Sequence, residues 1–188
     1  MIAPDDVLDF WFAGDGTRER SVWFEANAAF DTECARFADA LHTALDGGFD
    51  HWSDTPRGIL ALIVLLDQFS RNLHRGSPNA FAADAKARAL ARDAVARGLD
   101  RVLQPVERSF LYLPFEHSED LTDQDESVRL FETMRLALGD STAEYAYRHR
   151  DLIRRFGRFP HRNRILGRTT TAEEQAYLTS HPQTFGQP

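Results

Sequence analysis

The sequence predicts an all-α protein built of antiparallel helical hairpins, with about seven to nine helices, and three observations carry that prediction. Apolar residues recur at three- and four-residue intervals along most of the chain. Proline or a capping hydroxyl precedes the apolar runs, and glycine follows them. No stretch shows the strict alternation of a half-buried strand. The connections between runs are short, which favours antiparallel neighbours.

The elements follow in order. Pro4 stands where a first helix begins, and DDVLDFWF continues it. Phe30, Cys34, Phe37, Leu41 and Leu45 keep helical spacing until Gly47-Gly48. Thr55-Pro56 reads as N-cap and first residue of the most apolar helix, ILALIVLLDQFSRN, expected to close near Gly76-Ser77-Pro78. The alanine-rich run NAFAADAKARALARDAVARG closes at Gly98. Pro105 opens the next helix, and Pro114 is expected to kink or end it. LTDQDESVRLFETMRLALG reads as one amphipathic helix through Val128, Phe131, Met134 or Arg135, and Leu138, stopped by Gly139. Ser141 with Glu144 reads as a capping box for a helix that Gly157 ends, and Thr171 with Glu174 as a second box for the last helix. The 188 residues are read as a single domain, with residues 179–188 a C-terminal tail.

Composition narrows the function classes. An apolar fraction of 43% and fourteen phenylalanines supply a core. The one long apolar run, Ile59 to Leu66, is too short for the roughly 20 residues a membrane span needs. The acidic start MIAPDDVLDFWF is unlike a signal peptide, so a cytoplasmic location is expected. Cys34 is alone and the helical two-histidine zinc pattern is absent, so neither metal nor cofactor is expected. A net charge of −7 disfavours nucleic acid as a partner. Yet residues 145–168 hold eight arginines against one acid, Asp151. Lys86 is the only lysine, so a general preference for arginine accounts for the residue type; it does not account for the clustering.

Three polar motifs interrupt apolar pattern, and such interruptions are where function most often overrides packing. In LLDQFSRN, Asp67 and Arg71 share a helix face, Gln68 and Asn72 adjoin them, and the row Leu60, Val64, Gln68 points Gln68 inward. In YLPFEHSEDLTDQ, Glu116, His117, Glu119 and Gln124 follow the disrupted helix end. In HRDLIRRFGRFPHRNRILGRTTTAEE, Phe159 and Ile165 anchor a loop carrying Arg158, His161, Arg162, Asn163 and Arg168. His149 falls on the apolar face of the helix before that loop. Thr169 to Thr171 lead into a helix N-terminus, where anions bind readily. The competing reading pairs these arginines with the six acids between Glu116 and Glu126.

These strings, together with VLDFWF, Trp23-Phe24 and the tail AYL, resemble the bacterial domain-of-unknown-function family 924 over residues of about 6–178. The resemblance implies a tetratricopeptide-like, right-handed helical array and supplies no activity, substrate or catalytic residue. The residues themselves point to a polar pocket between hairpins that takes a small anionic ligand bearing phosphate or carboxylate. Arg71, Arg158, Arg162 and Arg168 are its expected charge partners, with Asp67 and Glu119 orienting the guanidiniums. A hydrolase using the same pocket is the first alternative, with His117 or His161 as general acid–base. Ser70, Ser118 and Cys34 lack a nucleophile motif. A protein-binding scaffold with Trp11, Trp23 and Trp52 as anchors is the second, resting on fold analogy. A purely structural network that specifies helix packing is the third.

Overall fold

The computed structural model describes residues 2–13, 16–17, 19–23 and 25–181. Phe24 and the end of the expected tail, 182–188, lie outside the described residues. The helices are α1 (Pro4–Phe12), α2 (Ala28–Cys34), α3 (Ala38–Leu45), α4 (Pro56–Ile63), α5 (Ser70–Leu73), α6 (Asp84–Ala96), α7 (Pro105–Glu116), α8 (Leu121–Glu132), α9 (Arg135–Leu138), α10 (Asp140–Phe156) and α11 (Ala172–Ser180). No strand occurs among the described residues. A 3-10 turn joins α2 to α3 and a π-helical turn, Val64–Phe69, joins α4 to α5, so these eleven segments form nine continuous rods. That agrees with the all-α expectation.

Helix α4 is the centre. Thr55 accepts a hydrogen bond from the Gly58 N–H at 3.1 Å, and Pro56 occupies the first turn, as the sequence predicts. A Cβ on Gly58 would fall 2.1 Å from the Trp52 carbonyl oxygen, so no larger residue fits there. Every residue from Ile59 to Leu66 is fully buried, as expected of a helix apolar all round. Helices α1, α6 and α7 pack on α4. Trp11 of α1 stacks or tilts against Trp23, Phe30 and Phe69 and meets Phe110 of α7 edge-on, with ring centroids 5.2–6.2 Å apart. Further along the chain α6, α7, α8 and α10 each pack on the next. A second small core, Leu152, Ile153 and Phe159 with Phe156 and Tyr177, attaches the arginine-rich loop and α11.

Four expectations are corrected. Pro114 does not break its helix, because it sits in the last turn and the His117 N–H still reaches the Leu113 carbonyl at 2.9 Å. The run after Leu121 is two helices: Thr133 turns its hydroxyl onto the Leu130 carbonyl (2.6 Å), a competing bond that ends α8. The Ser141–Glu144 box does not form, because α10 starts two residues earlier, with Gly139 at φ +85° as its N-cap and Asp140 held by Arg135 at 2.8 Å. The apolar helix stops at Leu73, short of Gly76. The Thr171–Glu174 box and the left-handed Gly157 cap form as read.

Candidate functional site

The π turn sets the site. One extra residue per turn rotates everything after it by roughly 100° relative to a regular helix. It carries Asp67 and Gln68 and delivers Arg71 and Asn72, on α5, to the lining of a cavity of about 550 Å³. Gln68 does face inward, 8% exposed, although the regular row drawn from Leu60 and Val64 is not the geometry that puts it there. The polar end of the cavity holds Gln68, Arg71, Asn72, Glu116, His117, His149, His161 and Arg162. Its apolar lining is Trp23, Phe81, Phe110, Leu113 and Phe131, with the Phe81 ring beside Arg71 and Arg162, and Glu19 and Glu25 also line the cavity. The volume falls within the usual range for small-molecule pockets.

A line of charges runs along the polar end. Arg162 Nη1 lies 3.7 Å from Asp84, which makes two bonds of 3.0 and 3.1 Å to Arg71. Arg71 lies 3.1 Å from Asp67, and Asp67 accepts from His117 Nδ1 at 2.8 Å and from Gln68 at 2.6 Å. Asp67 is fully buried; burial alone would raise its carboxyl, but the Arg71 charge and the hydrogen bonds from His117 and Gln68 outweigh that and hold it well below the usual range. Because a carboxylate only accepts, the His117 proton sits on Nδ1 and the Nε2 lone pair is the basic one. Burial, with Arg71 next, lowers the His117 pKa despite Asp67, so the ring is neutral at pH 7.

Arg162 differs from its neighbours. It is 7% exposed and makes no side-chain hydrogen bond to any described residue. Its guanidinium lies between the Phe81 and Phe159 rings, 4.7 and 4.5 Å from their centroids. Burial, and then the Arg71 charge, lower its pKa to about 10.

Three further groups are kept neutral by burial. Glu116 is raised to about 8 by burial and by the Asp67 charge. His149 is lowered to about 3 by burial, although its Nδ1 donates to the Tyr145 carbonyl at 2.8 Å. The 3.3 Å approach of Glu116 to His149 is therefore a contact between a carboxylic acid and a neutral imidazole, despite a distance that suits an ion pair. His161 is likewise lowered to about 3 by burial and Arg162.

The remaining expected residues stand off the cavity, which revises several expectations. Arg158 is not a charge partner there: it grips Glu174 at 2.6 and 2.9 Å and the Thr169 carbonyl at 2.8 Å. Arg168 grips Glu119 at 2.6 and 3.0 Å, and Glu119 also accepts from the Phe159 N–H at 2.9 Å. Asn163 is fully buried against Glu174 (3.2 Å). Gln124 is fully buried, donating to the Glu116 and Ser118 carbonyls at 2.6 and 2.7 Å. Asp67 acts from behind the cavity wall through Arg71 and His117. The N-terminus of α11 is taken by its own Glu174, which accepts from the Thr171 N–H at 2.7 Å. Trp11 and Trp52 are core residues, so they are not surface anchors. Burial pushes the Cys34 thiol up to about 12, and Ser118 is turned to Asp123 at 2.8 Å.

Sequence reasoning missed Asp84 and Phe81. Asp84 reads locally as an ordinary first-turn acid of an alanine-rich helix, and nothing near it signals two distant arginines. Among the described residues no cluster of three or more His, Cys, Asp or Glu is arranged to hold a metal ion. None of their helices is long and apolar enough to cross a membrane.

A family model described as "Bacterial protein of unknown function (DUF924)" matches residues 7–181. The solved structure of a protein of unknown function, ATU0120 from Agrobacterium tumefaciens, is similar at 42% identity, covering 94% of this chain and 97% of that one, with a TM-score of 0.85. No curated protein matches.

Proposed function

The chain belongs to the bacterial family of unknown function DUF924, and from that premise we propose that it binds a small organic anion in the cavity beside Arg71 and Arg162. The anionic head is a carboxylate or phosphate, and an apolar body lies along Trp23, Phe110, Leu113 and Phe131. Arg162 carries this reading. A buried guanidinium without hydrogen bonds is costly, and the nearest carboxylate, Asp84 at 3.7 Å, is already engaged by Arg71. A planar fork held between two rings is prepared for a carboxylate or phosphate with little ordering left to lose.

Thermal shift with phenylacetate and phenyl phosphate tests this, with neutral phenylacetamide as control. A ligand at 100 times its Kd adds about 2.7 kcal/mol of stability. The two anions raise Tm, the amide does not, and Arg162→Met abolishes the response while staying folded. An equal response from Arg162→Met, or none from the wild-type chain, removes the reading.

A further inference from the structure

We propose that the cavity is also catalytic and hydrolyses a small anionic ester, with His117 Nε2 as general base on water and Glu116 as general acid to the leaving oxygen. This deepens the anion-binding reading and rests on it.

The geometry comes first. Asp67 fixes the His117 ring from its Nδ1 side at 2.8 Å, and Nε2, across the ring, bonds to no described residue. His117 and Glu116 are consecutive at the end of α7, and both line the cavity with Arg162 and Arg71. The line Arg162–Asp84–Arg71–Asp67–His117 has gaps of 3.7, 3.0, 3.1 and 2.8 Å, so an anion held by the arginines lies within the same charge network as the base. Gln124 secures the end of α7 and the turn after it by donating to the Glu116 and Ser118 carbonyls. The protonation states agree with the geometry. At pH 7 Glu116, raised to about 8, holds its proton, and His117, lowered, holds its lone pair. Two neighbouring groups pushed to opposite roles are how one site runs acid and base chemistry together.

The step balances without any other reactant than water. A water proton passes to His117 Nε2 as the water oxygen bonds to the carbonyl carbon or phosphorus. The bond to the leaving oxygen breaks, its electron pair goes to that oxygen, and the oxygen takes the Glu116 proton. Arg162 offsets the negative charge that builds on the reacting group. Exchange with solvent then moves the proton from His117 back to Glu116.

The test uses phenyl and para-nitrophenyl esters of two kinds, the monophosphate and the hydrogen glutarate, with binding followed by thermal shift and cleavage by phenol release. The wild-type chain cleaves at least one pair. His117→Gln loses about a hundredfold or more on both members of that pair. Glu116→Gln loses about a hundredfold on the phenyl ester but less than about tenfold on the nitrophenyl ester, whose oxygen leaves without a proton. With the phenyl ester the wild-type rate falls above about pH 8, and Glu116→Gln removes that fall. A purely structural Glu116 gives equal losses on both leaving groups, which overturns its role even if His117→Gln does not fold. Binding without cleavage overturns the hydrolysis and leaves the anion site standing. Absence of binding by every probe overturns both.

Discussion

Arg162 and its sequence neighbours Arg158 and Arg168 are the same residue type within one loop, yet they are in opposite states. Arg158 and Arg168 each grip one carboxylate with two bonds, and each also holds a backbone carbonyl. Arg162 is the more buried, with 8% of its side chain exposed against 28% and 23%, and makes no such bond. Burial therefore does not separate a structural arginine from a receptive one. The matched carboxylate does, because a fork filled by an acid has nothing left to offer a ligand.

Four substitutions break or sharpen that comparison. The largest effect falls on Arg71, which shares both worlds: it is paired with two acids and also lines the cavity. Arg71→Met leaves buried Asp67 without a cation beside it and Asp84 with only Arg162 at 3.7 Å, and costs about 3–5 kcal/mol in urea denaturation. A cost as small as that of Arg162→Met would erase the distinction.

Glu116→Gln comes next, and its sign depends on pH. The ordinary carboxyl loses its proton near 4.5, whereas Glu116 keeps it to about 8. Between those values the unfolded chain is ionised there and the folded one is not, so wild-type stability falls as pH rises. The glutamine removes that fall and gains on the order of a few kcal/mol over wild type at pH 9. Chemical denaturation at pH 6.5 and pH 9 measures it; a difference that does not grow with pH argues against a protonated Glu116.

Glu119→Gln loosens the clamp by weakening its hold on Arg168 and the Phe159 N–H. It costs about 1–2 kcal/mol by the same denaturation and leaves the response to phenylacetate in place. The smallest effect is that of Arg162→Met on the ligand-free chain. It changes stability by less than about 1 kcal/mol, because no hydrogen bond is lost and the methionine stem still fills the space between the rings.

The parts of the site legible in the sequence were those written within a few residues. Asp67 and Arg71 sit four apart and do pair, across a helix turn that the sequence did not mark as π-helical. His149 falls on an apolar face and is buried there. The arginine cluster stood out, but its sorting did not: Arg158 finds Glu174, Arg168 finds Glu119 and Arg162 finds two phenylalanines. Asp84, whose carboxylate faces Arg71 and Arg162, carried no local signal at all.

By itself the sequence determined the all-helical class, the caps at Thr55 and Thr171, the glycine stop at Gly157 and the burial of the run from Ile59. Those follow from backbone geometry and from bonds that span one turn, which neighbouring residues control. Only the tertiary structure decided which charges meet, that Glu116 keeps its proton and which residues line the cavity. Such outcomes depend on distances between groups as far apart in the chain as Arg71 and Arg162, and on how much water their surroundings exclude.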